Sequence, residues 1–220
     1  MKLVEHILGF IILSLGIVFV LSAELGAGSM DAFNYYVSAL LSKHISFFTV
    51  GRVAILNGML AIVLSYIITK DYKTIISFIF IFIVGNFIDL WLYLFNFVPD
   101  ILYETLVARF ILASIGVIII GFGAAITVST GYPPSPFESL LLALDKKINH
   151  LAISKIIIDS TYLLLAFILG FIYQDVFKQI GFFTIVLTLF TGFLVKHFSI
   201  QIHKYKHKKG ENTNVIKQTH

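Results

Sequence analysis

The chain has 220 residues, of which 58% are hydrophobic and 13% charged, with no cysteine and a formal net charge of +4; its mean hydropathy is +0.95. Soluble domains carry about a quarter charged residues, so this composition excludes a water-soluble globular protein and places the chain in lipid. Without cysteine there are no disulfides and no thiolate metal sites, and the positive excess is concentrated near the end, at Lys196, Lys204, Lys206, Lys208 and Lys209.

Apolar runs fall at 7–23, 46–68, 74–97, 106–129, 152–173 and 180–200. Each is long enough to cross a hydrocarbon core of ~30 Å as a helix. The phenylalanines and β-branched residues would suggest strands in water, but in lipid a run of this length satisfies its backbone hydrogen bonds only within itself, so each reads as a helix. The first run ends on Ser22-Ala23, a small-residue pair suited to signal cleavage. It has a counterpart later in the chain, which argues for a retained span.

After the first run, Gly26-Ala27-Gly28-Ser29-Met30-Asp31 breaks the helix and opens a short segment at 29–43. After the fourth, Gly131-Tyr132-Pro133-Pro134-Ser135-Pro136-Phe137-Glu138 does the same for 136–149. As helices these segments cover roughly 22 Å, so they are either re-entrant half-helices or tilted spans buried in protein.

The two breaks belong to an internal repeat. At an offset of 107, Gly9, Gly16 and Gly85 land on Gly116, Gly123 and Gly192, Ser22 on Ser129, Asp31 on Glu138 and Tyr66 on Tyr173. The expected units are a first membrane repeat at 1–100, a second at 101–198, and a basic tail at 199–220 that reads as disordered, cytoplasmic and suited to anionic headgroups. Three spans per half force the halves into opposite orientations, whereas four crossings, with the short segments spanning, would make them parallel. Lysine placement favours six crossings with both termini in the cytoplasm. The predicted fold is an all-α polytopic membrane protein of two inverted repeats, each with three transmembrane helices and one short helix.

Polar groups within lipid are costly and mark candidate sites. Arg52, Asn57, Asn86, Asp89, Lys155 and Asp159 lie inside the runs, and Glu24, Asp31, Arg109 and Glu138 lie near their ends. Arg52 and Asp159 are equivalent in the repeat, so a buried ion pair across the pseudo-two-fold axis is one reading and separate snorkelling to each interface the other. Asn86 and Asp89 share a helix face; Asp89 reads as a coupling carboxylate or as a polar contact at a helix end beside Trp91 and Tyr93. Ser29 or Asp31 can cap the first short helix, and Pro133, Pro134 and Pro136 shape the start of the second, whose first turn holds Glu138. Half-helix N-termini offer free N–H groups to a polar substrate, while Asp31 and Glu138 equally serve as plain caps.

His203 and His207 are four apart but lack a third ligand, so no metal is expected there. No phosphate loop, metalloprotease motif or activated nucleophile is present. Neither a cofactor, nor a nucleic-acid partner, nor enzymatic activity is expected.

The stretch Leu25-Gly26-Ala27-Gly28-Ser29-Met30-Asp31-Ala32, then Val37-Ser38-Ala39-Leu40-Leu41-Ser42 and Gly51, resembles the YczE/YyaS/YitT family of bacterial integral membrane proteins. Those proteins place a Gly-x-Gly-Pro-aromatic-Asp stretch after the first span and a related Gly-x-x-Pro stretch in the second half. Here Ser29-Met30 replaces the Pro-aromatic pair, and Ser129-Thr130-Gly131-Tyr132-Pro133-Pro134 supplies the second stretch. The resemblance covers residues 5–198 and implies a multi-pass protein of the bacterial cell membrane. The functional expectation is a transporter of a small molecule or ion, with Ser29, Asp31, Arg52, Asn86, Asp89, Glu138 and Asp159 as substrate-binding candidates between the short helices. The alternative is an accessory protein that binds another membrane complex without transport.

Overall fold

The computed structural model describes residues 2–99 and 104–218. Among them all regular structure is helical: α1 (Lys2–Ala23), α2 (Ser29–Leu41), α3 (Val50–Thr69), α4 (Ser77–Phe95), α5 (Leu106–Ser129), α6 (Pro136–Ile148), α7 (Leu151–Tyr173) and α8 (Phe182–Gln218), with 3-10 turns at Tyr72–Ile76 and Val176–Lys178. Six stretches are long and apolar enough to cross a membrane: Lys2–Ala23, Val50–Thr69, Thr74–Phe95, Leu106–Ser129, Leu151–Tyr173 and Val176–Lys206. They match the six apolar runs, and α2 and α6 are the two short segments. The expected boundary between the halves lies outside the described residues. The basic segment from 199 onward begins inside α8, which continues to Gln218.

The core is built on α1 and α5, which cross antiparallel. A Cβ at Gly9 would stand 3.0 Å from the Gly123 carbonyl oxygen, and one at Gly16 would stand 2.8 Å from that of Gly116. Four glycines therefore bring two backbones together, which matters in lipid, where association depends on close packing rather than on expelling water. On α4, Phe80 stacks on Phe10 at 5.3 Å, and the Trp91 indole donates to the Ser14 hydroxyl at 3.1 Å. On α8, the Leu194 Cβ sits 2.6 Å from where a Cβ on Gly121 would lie.

Neither short helix runs from one end of the bundle to the other. At one end of the bundle, the end of α1 (Glu24) meets Arg109 at 3.4 Å and Lys178 at 2.9 Å. The end of α4 reaches the same level, with Phe95 against Phe19 at 6.1 Å, and Asp89 accepts from the Gly51 N–H at the start of α3. The chain before and after α2 thus sits at a single end. Between these points α2 starts deep, with Ser29 against Asp159 in α7. It then returns beside the end of α7, where the Tyr36 hydroxyl donates to Asp175 and Val176 carbonyls and Lys43 lies over the Tyr173 ring. α6 repeats this from the opposite end: Ser139 lies beside Ser65 and Ser77, and Lys146 shares a hollow with Thr69 and Asp71 at the end of α3. α2 packs mainly on α7 and α6 mainly on α3.

Candidate functional site

The first turns of α2 and α6 open onto one cavity of about 310 Å³. Its walls are apolar, from Phe10, Leu13 and Ile17 on α1, Ile81, Val84 and Ile88 on α4 and Ile120 on α5. Most of its polar lining is gathered where the short helices begin: Asp31, Asn34, Ser135, Glu138, Lys155 and Asp159, with Thr191 contributed by α8. A second hollow of about 380 Å³ shares Asp31, Glu138, Lys155 and Asp159 and continues toward Thr188 and Thr191 on α8.

Both short helices begin through the same local geometry. α1 and α5 are followed by left-handed residues at repeat-equivalent positions, Glu24 (φ 54°) and Gly131 (φ 74°). The N-cap residues are also equivalent: Gly28 has φ −58° and ψ 151°, Ser135 has φ −58° and ψ 157°. Gly26 is the one position of the first break where glycine is forced twice over. Its φ is +108°, and a Cβ there would stand 2.7 Å from the Gly181 nitrogen.

The caps differ in chemistry. In α6 the Ser135 hydroxyl accepts from the Glu138 N–H at 3.3 Å, while Pro136 presets the first turn. Ser-x-x-Glu spacing is that of a capping box, and the Glu138 carboxylate turns back to the Ser135 backbone. In α2 the cap is Gly28, which has no side chain to offer. Asp31 points an oxygen toward Gly28, 3.1 Å from where its Cβ would lie. Its carboxylate makes no hydrogen bond or ion pair among the described residues.

Asp159 is fully engaged. It accepts from the Ser29 hydroxyl at 3.0 Å and from the Lys155 ammonium at 2.5 Å, an i,i+4 pair on α7. The ion pair suggested by the repeat between Arg52 and Asp159 is absent. The Arg52 guanidinium instead donates to the Phe47 carbonyl at 3.0 Å and lies 4.5 Å over the Phe47 ring, exposed at the start of α3. Arg52 is only in the first turn of α3, so its long side chain reaches the interface more cheaply than the middle of the bundle.

Asn86 and Asp89 also lie away from the cavity. The exposed Asn86 amide donates to the Phe82 carbonyl on its own helix at 2.7 Å. Asp89 accepts from the Thr49 hydroxyl at 2.5 Å and the Gly51 N–H at 2.8 Å, so it caps α3 from a neighbouring helix. Of the seven candidate residues, the cavity and its adjoining hollow bring together Ser29, Asp31, Glu138 and Asp159.

The sequence reading passed over Asn34 and Tyr162. The Asn57 amide donates to Asn34 at 2.9 Å and its carbonyl accepts from the Tyr162 hydroxyl at 2.8 Å, a chain linking α2, α3 and α7 at the cavity edge. Asn34 follows Asp31 by three residues and Tyr162 follows Asp159 by three, the same-face spacing that could have found them.

Comparison with known proteins bears on this architecture. A family of unknown function, DUF6198, matches residues 1–200. The chain belongs to that family. Its relatives include the uncharacterized protein YyaS of Bacillus subtilis (strain 168), 31% identical over 170 residues, covering 76% of this chain and 81% of YyaS. They also include the uncharacterized membrane protein YczE of the same organism, 30% identical over 194 residues, covering 87% of this chain and 82% of YczE. The resemblance seen in the glycine-rich stretch therefore extends over most of the length of both relatives. No solved structure matches the chain.

Proposed function

We propose that the protein is a carrier, without enzymatic activity, that moves a small molecule or ion across the bacterial cytoplasmic membrane by alternating access about the cavity between α2 and α6. The observation that carries this reading is the convergence of two half-helix N-termini with Asp31, Glu138 and Asp159 on one apolar-walled cavity. Carriers commonly form their sites from such discontinuous helices.

An inverted repeat is part of the proposal. The equivalent helices α1 and α5 run antiparallel, and the glycine pair Gly9 with Gly123 maps by the 107-residue offset onto Gly116 with Gly16. Packing of α2 on α7 maps likewise onto packing of α6 on α3. With both termini in the cytoplasm, the cavity would open alternately as the halves rock.

The test is a single-cysteine scan of 24–44 and 130–150 in this naturally cysteine-free background, labelled from either side with a small water-soluble thiol reagent. Met30→Cys and Phe137→Cys are expected to react, while outward-facing positions on α5 such as Ile118→Cys stay protected. Inertness of both cavity positions from both sides would overturn the carrier reading. It would instead favour an accessory role, for which the outward apolar faces of α7 and α8, with Leu164, Phe167, Phe190 and Phe193 exposed, offer a surface.

A further inference from the structure

We propose that the occupant of this cavity is a small organic ammonium with an apolar body, held by Asp31 with Glu138 beside it; the proposal rests on the carrier reading. Charge comes first. Lys155 is the cation nearest the carboxylates, and it is already paired with Asp159. That leaves Asp31 and Glu138, which when both are ionised set two negative charges against two helix N-termini worth about half a positive charge each. The remainder is about one negative charge, which a monovalent cation neutralises. An anion would meet uncompensated carboxylates.

Ligand count argues against a dehydrated metal cation. Hard cations stripped of their water need six or more oxygens from the protein. Here the Asn34 carbonyl is taken by Asn57, both Asp159 oxygens are taken by Ser29 and Lys155, and the Ser135 hydroxyl caps α6. Asp31 lines the space with a carboxylate that no donor among the described residues satisfies. One ammonium can satisfy it with a single charge-assisted hydrogen bond and leave its other protons for Glu138.

Shape completes the assignment. The acidic end lies between α2, α6 and α7, while the other walls, from Phe10, Leu13, Ile17, Ile81, Val84 and Ile88, are apolar. A volume of about 310 Å³ is at the small end of ligand pockets and suits a body no larger than one ring with a short chain. A headgroup alone would leave those walls empty.

The experiment is calorimetric titration of the purified full chain in detergent with three near-isosteric probes: 2-phenylethylammonium, 2-phenylethanol and 3-phenylpropionate. The ammonium is expected to bind at least tenfold tighter than the alcohol and the carboxylate. Asp31→Asn should remove that preference and Asp31→Glu keep it. Equal binding of ammonium and alcohol, preference for the carboxylate, or no binding of any probe would overturn the assignment. The probe series on the unaltered protein decides the matter even if a variant fails to fold. Failure here with reactive cysteines at Met30 and Phe137 would discard the cation and keep the carrier; inert cysteines would discard both.

Discussion

Arg52 and Asp159 occupy equivalent places in the repeat, yet their side chains do opposite things. Arg52 reaches outward to the Phe47 carbonyl, while Asp159 turns inward to Ser29 and Lys155. Arg52→Ala should therefore shift thermal stability by less than about 0.5 kcal/mol, and exchanging the two charges should give no rescue of an Asp159→Arg defect. Asp89 behaves differently, because its two hydrogen bonds hold the start of α3. Asp89→Ala is expected to cost about 1.5–3 kcal/mol, the range for hydrogen bonds to a charged group, read as a lowered unfolding midpoint in detergent. Thr49→Ala leaves Asp89 its bond to the Gly51 N–H and should cost less. The presence of a polar residue at each of these places was legible in the sequence; the partner each chose was not.

Among the elements, the glycines of α1, α5 and α3 are contact surfaces, and the structure ranks them. A Cβ on Gly16 would lie 2.7 Å from the Ile120 nitrogen and 2.8 Å from the Gly116 carbonyl oxygen, both backbone atoms that cannot step aside. Gly192, also helical, would meet nothing within 4 Å. Gly16→Ala should then lower stability by about 1–3 kcal/mol, as overpacking does. Gly192→Ala should be neutral or slightly stabilising, since alanine is the better helix former. A thermal-unfolding comparison of the two variants checks this, and equal effects would contradict the packing of α1 on α5. The short helices teach a related lesson. The breaks before α2 and α6 differ in sequence, glycine-rich in one and proline-rich in the other, yet end in matching N-cap backbone conformations. Glycine reaches that geometry by permissiveness, and the proline-rich stretch reaches it by restriction.

For the whole molecule, the proposed six crossings with re-entrant α2 and α6 would place His44 and Asp175 on one side of the membrane and Asp71 and Asn149 on the other. If the termini are cytoplasmic, as proposed, His44→Cys and Asp175→Cys are expected to label in intact cells with a membrane-impermeant thiol reagent, whereas Asp71→Cys and Asn149→Cys label only after permeabilisation. Eight crossings would put His44 inside and Asp71 outside, reversing half of that pattern. The family match over residues 1–200 carries the same architecture to YyaS and YczE as an expectation.

The six long apolar runs, the two breaks and the lengths of the short helices follow from the sequence by itself, because hydropathy, glycine, proline and the cost of unpaired backbone in lipid all act locally along the chain. The tertiary structure decided which faces meet. In water a helix announces its buried side by apolar periodicity; in lipid the outer face is as apolar as the inner one, and exposed Leu60, Ile79, Ile118 and Leu164 look in sequence like the buried Ile62, Ile81, Ile120 and Ile158. Partner choice at Asp159, Asp89 and Asn57 depended on that rotation, as did the meeting of Asp31 and Glu138 at one cavity. Packing between helices distant in sequence fixed it.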